Sequence, residues 1–275
     1  MLVSMIESMN KARENGYCVP ALSAGNEHIL RALIEAAEEK RSPLIVLYMY
    51  GNNPDMMYFG RMVRDLALQA SVPVSVVLDH GAKYEHAVAA IRAGFTDIMV
   101  DRSALPYEEN VAEVRELVKI AHAVGVGVEA ELGHVGFDGD LSQNVFTVPS
   151  EAVSYVAETG VDALAVAIGT SHGKYRGEPR LQFDLLKELR EQVPVPLVLH
   201  GGSGTGDTNL RKACRMGICK LNVAFELYHG ALEVMNGEEF RQDPYAEYGL
   251  YNYMTKGIQD VARRIMDVCG STDKA

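Results

Sequence analysis

Three histidines in this chain each follow an apolar run. His80 ends Val74-Ser-Val-Val-Leu-Asp-His80, His172 follows Ala163-Leu-Ala-Val-Ala-Ile-Gly-Thr-Ser, and His200 ends Pro196-Leu-Val-Leu-His200. Runs of this kind predict buried strands. A polar residue just past the carboxyl end of such a strand stands where α/β proteins build sites. Three neutral imidazoles with one open coordination position are the ligand set of a catalytic zinc ion. About 120 residues separate the first histidine from the last, so only a fold that gathers strand ends can unite them. A lone histidine is ordinarily hydrogen-bonded core or surface. His28, His86, His122 and His229 fall in helix-period segments and keep that reading.

Other polar residues share this placement. Asp79 precedes His80, and strand alternation turns the two side chains apart. At a strand end both can still reach one cavity, the acid serving proton transfer on a substrate hydroxyl; the alternative is a cap on the next helix. Glu129 and Glu131 lie two apart in Val128-Glu-Ala-Glu-Leu-Gly133 and share a face. Two carboxylates turned into a core are costly unless they meet a metal, a second cation or a buried ion-pair partner. Glu131 is the better placed to reach a metal, directly or behind a ligand. His200-Gly-Gly-Ser-Gly204 offers backbone N–H groups of the kind that bind phosphate, with Gly201 and Ser203 in the turn. Gly173 adds another open backbone point, and Asn222 can bond a substrate hydroxyl. Lys220 reads either as a Schiff-base lysine or as a buried, paired one. The segment His134–Val145 (HVGFDGDLSQNV) is glycine-bearing and acidic, as a lid is. Its Asp138 and Asp140 are candidate proton-transfer groups, with a solvated loop as the alternative.

The elements that must position these groups alternate from end to end. Strand patterns cover Cys18–Ser23, Leu44–Tyr50, Val74–His80, Asp97–Asp101, Gly127–Gly133, Ala163–Gly169, Pro196–Gly201 and Ile218–Val223. Helix-period segments between them include His28–Lys40, Tyr84–Ala93, Asn110–Ala123, Pro149–Thr159, Phe183–Gln192 and Thr208–Met216. Strands this apolar are covered on both faces and hence parallel. Eight β-α units predict an α/β fold of the closed (β/α)8 barrel type, one domain over residues 1–275. An open doubly wound sheet is the alternative, disfavoured because no GxGxxG follows the first strand. A last helix, about Tyr253 to Val268, is expected to cap the barrel or to pack on a partner subunit.

Composition narrows the classes. The net charge is −11, without a basic tract, which argues against nucleic acid. No apolar run approaches the ~18 residues of a membrane span. The opening MLVSMIESMNKAREN predicts an amphipathic helix rather than a signal peptide. Cys18, Cys214, Cys219 and Cys269 lack disulfide-like spacing, which predicts reduced thiols and a cytoplasmic protein.

Leu78-Asp-His-Gly81, Leu105-Pro-Tyr-Glu-Glu-Asn110, Val128–Gly133, Thr159–Gly173, Val198-Leu-His-Gly-Gly-Ser-Gly204 and Lys220-Leu-Asn222 together resemble the class II, zinc-dependent ketose-bisphosphate aldolases. The nearest likeness is to the fructose- and tagatose-bisphosphate branch. The resemblance runs from about Val19 to Asp267-Val-Cys-Gly270. It implies a dimeric or tetrameric barrel enzyme, a metal-dependent aldehyde-lyase acting on a small sugar phosphate. It implies zinc on His80, His172 and His200, with Asp79 moving the C4 hydroxyl proton during carbon–carbon cleavage. Gly173, Gly201, Ser203 and Asn222 would hold the dihydroxyacetone phosphate half.

The chain departs from this pattern at both phosphate ends. After Asn222 the family has a phosphate-binding threonine where this chain has Phe225. Ala-Phe-Asn becomes Ala21-Leu22-Ser23, and the small polar turn after strand two becomes Tyr48-Met-Tyr-Gly-Asn52. Thr255 stands where the family carries an arginine donated across a subunit interface, with Lys256 beside it. The lid's Gly-Gly-x-Glu-Asp reads Gly136-Phe-Asp-Gly-Asp140. Metal ligands and Asp79 kept, phosphate donors altered: the expectation is retained aldol chemistry on a changed substrate. The alternatives are a paralogue acting on a mono- or non-phosphorylated ketose and a sugar-phosphate-binding protein without turnover.

Overall fold

The computed structural model describes residues 1–136, 145–173, 175 and 177–275. Among these, eight strands close a parallel barrel in sequence order: β1 Val19–Ser23, β2 Leu44–Met49, β3 Val74–Asp79, β4 Asp97–Val100, β5 Gly127–Leu132, β6 Ala163–Val166, β7 Leu197–Leu199 and β8 Ile218–Val223, with β8 pairing back onto β1. The helices are α1 Met5–Asn15, α2 Glu27–Lys40, α3 Met56–Gln69, α4 Tyr84–Arg92, α5 Tyr107–His122, α6 Pro149–Thr159, α7 Phe183–Gln192, α8 Asp207–Arg215, α9 Phe225–Met235, α10 Glu238–Gln242 and α11 Leu250–Cys269. The alternating pattern in the sequence therefore yields the expected (β/α)8 barrel. β6 and β7 end earlier than the apolar runs do, because Gly169 (φ 111°) and Gly201 (φ 68°) turn the chain out of the sheet.

Strand alternation sorts the barrel's two faces. Outward residues such as Leu22, Val46, Val76, Ile98 and Val128 pack under the helices. Inward residues Ala21, Ile45, Leu47, Val77, Met99, Ala165 and Val198 join Met5, Met9 and Ala12 of α1 in a separate apolar cluster. α1 closes the amino-terminal end of the barrel. Ser4 Oγ and the Met5 N–H donate to the buried Asp97 carboxylate at 2.6 and 2.7 Å, anchoring that plug to β4. α11 lies along the barrel's flank against α2, α9 and β1, so the cap is α1 and not the last helix. All four cysteines are buried and unbridged.

Candidate metal centre

Nearer the carboxyl ends of the strands the buried set turns polar: Asp79, Glu129, Glu131, His200, Lys220 and Asn222. Asp79 is the last residue of β3. His80 follows with φ 47°, a left-handed conformation that residues other than glycine seldom adopt. That turn cancels the strand alternation, so both side chains line one cavity.

The three sequence-predicted ligands converge. His80 Nε2 lies 3.2 Å from His172 Nε2 and 3.0 Å from His200 Nδ1. The far nitrogens of two rings are held by carboxylates: His80 Nδ1 by Asp101 Oδ2 at 2.7 Å, and His200 Nε2 by Glu129 Oε1 at 2.9 Å. A carboxylate only accepts, so those nitrogens carry the protons. His80 Nε2 and His200 Nδ1 are then left with lone pairs facing each other. Two lone pairs at 3.0 Å repel unless a proton or a metal cation stands between them.

The surrounding charge favours such a cation. Burial opposes a positive His80, but Asp79, Asp101 and Glu131 outweigh it and raise the ring to about 9. Burial, then the neighbouring His80 and His200, push His172 down to about 3. Glu131 accepts from the Val135 N–H at 3.1 Å through Oε1. Its Oε2 is buried without a hydrogen-bond partner among the described residues and lies 3.8 Å from His200 Nδ1. Burial, and then the charge of Asp101, raise the Glu131 carboxyl, which a nearby cation would reverse. Imidazole nitrogens with carboxylate oxygens suit zinc. His80, Asp101 and Glu131 also bring donor atoms within 4.8 Å of one another, a second place where a cation fits.

The cavity beside this cluster has a volume of about 340 Å³. Its lining divides by chemistry. Asp79, His80, His172, Ser203 and Asn222 are polar; Leu47, Met49, Ala224, Phe225 and Tyr228 are largely apolar; Gly173, Gly201 and Gly202 present backbone. A Cβ on Gly201 would meet Ser171 O at 2.6 Å, so only glycine allows that close approach. Ser203 Oγ accepts from the Glu226 N–H at 3.2 Å and keeps its own proton for a ligand. Asn222 Nδ2 donates to Asp79 Oδ1 at 3.1 Å, while its Oδ1 is buried without a partner among the described residues. Tyr175 ties the loops after β6 and β7 together, accepting from the Ser171 N–H at 2.7 Å and approaching Gly201 O and Thr205 Oγ1.

Lys220 is the paired lysine of the two readings. Its Nζ lies 2.9 Å from Glu129 Oε2, both side chains are fully buried, and it does not line the cavity. Burial opposes ionisation of Glu129, but Lys220 and then His200 outweigh it and hold the carboxyl at about 2. Thr255 Oγ1 bonds back to Tyr251 O within α11, and Lys256 lies near Asp260; neither reaches the cavity of its own chain. Asp138 and Asp140 lie outside the described residues. Sequence reasoning passed over Asp101, although the residue ends the fourth apolar run as Asp79 and His80 end the third.

A family model described as class-II fructose-bisphosphate aldolase matches residues 3–274. The chain is 36% identical to the D-tagatose-1,6-bisphosphate aldolase subunit GatY of Klebsiella oxytoca, over 98% of both chains. It is 38% identical to a fructose-bisphosphate aldolase of Thermus caldophilus over the full length of both. The crystal structure of the YdjI aldolase from Escherichia coli K12 superposes with a TM-score of 0.90 at 35% identity, covering all of both chains. The chain belongs to the class-II fructose-bisphosphate aldolase family, a family of carbon–carbon lyases.

Proposed function

We propose that this protein is a zinc-dependent aldolase that reversibly cleaves a ketose phosphate, such as fructose- or tagatose-1,6-bisphosphate or a relative, to dihydroxyacetone phosphate and an aldehyde. The observation that carries the reading is the convergence of His80 Nε2, His172 Nε2 and His200 Nδ1 beside the Asp79 carboxylate in an open cavity. His80, His172 and His200 would hold the zinc, which when bound would supply Lewis-acid polarisation of the substrate ketone. Asp79 takes the C4 hydroxyl proton as the C3–C4 bond breaks and the aldehyde forms; the C3 carbanion takes one proton from solvent to become dihydroxyacetone phosphate, Asp79 releases its own to solvent, and the condensation direction reverses both transfers. Asn222 fixes that carboxylate through one oxygen and keeps the other available. The unpartnered Asn222 Oδ1 accepts a substrate hydroxyl, and the Ser203 hydroxyl with the Gly173 and Gly201 backbone holds the dihydroxyacetone phosphate end.

A specific observation bears on the phosphate end beside Ser203, whose Oγ accepts from the N–H of Glu226 next to Phe225. Leu47, Met49, Phe225 and Tyr228 line the same cavity. Phe225 occupies the position of the family's phosphate-binding threonine and stacks on His229 at 6.2 Å. The lost donor supports a second reading, in which the substrate is a ketose with one phosphate or a neutral tail. The working form is a single-domain homodimer or homotetramer, supported by the exposed Tyr245, Tyr248 and Tyr251 at and before α11. A cytoplasmic location fits the unbridged thiols; among the described residues no helix is long and apolar enough to cross a membrane. A retro-aldol screen of phosphorylated and unphosphorylated ketoses, with and without zinc, tests the reading. Cleavage that survives chelation and is trapped by borohydride would replace it with Schiff-base chemistry. Tight binding of a ketose phosphate by zinc-loaded protein, with no turnover across the panel, would replace it with a binding function.

A further inference from the structure

Glu129, His200 and Lys220 come from β5, the residue after β7, and β8, and all three side chains are fully buried. Glu129 joins the other two across the barrel, with Oε1 on His200 Nε2 at 2.9 Å and Oε2 by Lys220 Nζ at 2.9 Å. The equivalent carboxylate on His80 is arranged differently. Asp101 binds His80 Nδ1 through Oδ2, and its Oδ1 accepts from the Ser103 backbone N–H at 3.0 Å. Beyond β4 the chain has left the sheet, so a backbone donor is available there. Glu129 sits within a strand, where backbone N–H groups are engaged in the ladder. The second oxygen is met instead by the charge of the Lys220 ammonium, at ion-pair distance.

We infer that Glu129 and Lys220 are positioning residues that decide which nitrogen of His200 carries the proton. Lys220 is all donor and Glu129 all acceptor, so Glu129 can only take a proton-bearing Nε2. His200 Nδ1 is thereby left bare toward His80 and His172. Asn222 Nδ2 also comes within 3.3 Å of His200 Nε2, and its second proton could serve a bare Nε2, but the shorter 2.9 Å contact with the Glu129 carboxylate requires the proton on Nε2. The inference rests on the reading that His80, His172 and His200 hold the zinc.

The pair's polarity makes an unusual prediction. In Glu129→Gln the amide oxygen is drawn to the Lys220 ammonium, which turns its NH2 toward His200 Nε2. That nitrogen becomes an acceptor, and the proton moves to Nδ1, the ligand nitrogen. Nitrogen NMR of metal-free, histidine-labelled protein should show His200 protonated at Nε2 in the parent and at Nδ1 in Glu129→Gln. Zinc affinity, read by competition with a chelator, should fall roughly 10–100-fold. In Glu129→Gln/Lys220→Met the amide is free to turn its oxygen to His200, and both the Nε2–H signature and most of the affinity should return. Lys220→Met alone should keep the Nε2–H form and bind zinc within a few-fold of the parent; it also carries the test if Glu129→Gln does not fold. An unchanged tautomer in Glu129→Gln, a double variant no better than the single, or loss of Nε2–H in Lys220→Met would each overturn the inference. If the parent binds no zinc, the reading of the site fails, while the tautomer comparison still decides the role of the pair.

Discussion

Asp79 Oδ1 accepts a hydrogen bond from Asn222 Nδ2 at 3.1 Å, joining the end of β3 to β8 across 143 residues of sequence. The bond locks the Asp79 carboxylate while a neighbouring residue, His80, turns into the ligand cluster. The same amide nitrogen approaches His200 Nε2 at 3.3 Å. The proposed proton carrier and a proposed metal ligand are thus fixed against one another by a single side chain, yet remain chemically distinct. That distinction can be measured.

Asp79→Ala removes the proton carrier and leaves the three rings with Asp101 and Glu129 behind them. The expected result is full zinc content with retro-aldol turnover lowered by roughly 100- to 10,000-fold, the usual worth of general acid–base catalysis. Metal analysis and a rate assay on the same preparation check it. Normal cleavage by the variant would remove Asp79 from the reaction.

His200→Ala should lose zinc and cleavage together. A structural role for His200 would instead lower stability and leave zinc on His80 and His172. Chelation of the parent protein should reproduce the activity loss, and added zinc should restore the parent alone. Stoichiometric zinc in purified His200→Ala, by elemental analysis, would exclude His200 as a ligand.

The fold and the ligand cluster were legible in the sequence for one reason. The apolar runs end at the strand ends or a few residues beyond them, and each candidate ligand follows its run: His80 and His200 directly after β3 and β7, His172 in the loop after β6. The signal weakened wherever geometry depends on something other than period. Strand alternation alone turns Asp79 and His80 apart, and only the left-handed φ of His80 reunites them. Glu129 and Glu131 share a face, as their spacing requires, but spacing does not say which one meets Lys220. That choice is made across the barrel, by β8 carrying Lys220 level with β5. Asp101 was readable by the same strand-end argument and was missed because an aspartate alone suggests no ligand. The apolar part of the cavity was foreshadowed at Phe225 and at Met49 in the altered run Tyr48-Met-Tyr-Gly-Asn52 at the end of β2, while Leu47 and Tyr228 carried no such signal.

Phe225→Thr returns a hydroxyl to the cavity's edge, where Phe225 is half exposed. A hydrogen bond to a charged phosphate is worth about 1.5–3 kcal/mol, or roughly 10- to 100-fold in affinity. KM for a ketose bisphosphate should fall by about that factor, with little change for an unphosphorylated ketose. Equal effects on both substrates would show that Phe225 acts through cavity shape and not through the missing donor.

Gly257 and Gly230 set how closely α11 approaches α9. A Cβ on Gly257 would sit 2.2 Å from Gly230 O and 2.6 Å from Gly230 C, both backbone atoms. Two effects of Gly257→Ala oppose each other. Alanine in a helix interior gains about 1 kcal/mol over glycine. Overpacking typically costs about 1–3 kcal/mol, and here no flexible side chain can yield. Contact at 2.2 Å with backbone places the cost at or above the upper end of that range, so the clash should win. The net loss should be about 2 kcal/mol or more, a fall of several degrees in Tm. α9 begins at Phe225 and carries Tyr228, both of which line the cavity, whereas the proposed zinc ligands lie on other elements. The displacement should therefore raise KM while leaving zinc content intact. Calorimetry and metal analysis on one sample check both parts, and a Tm above that of the parent would mean that helix propensity outweighs the packing of α9 on α11.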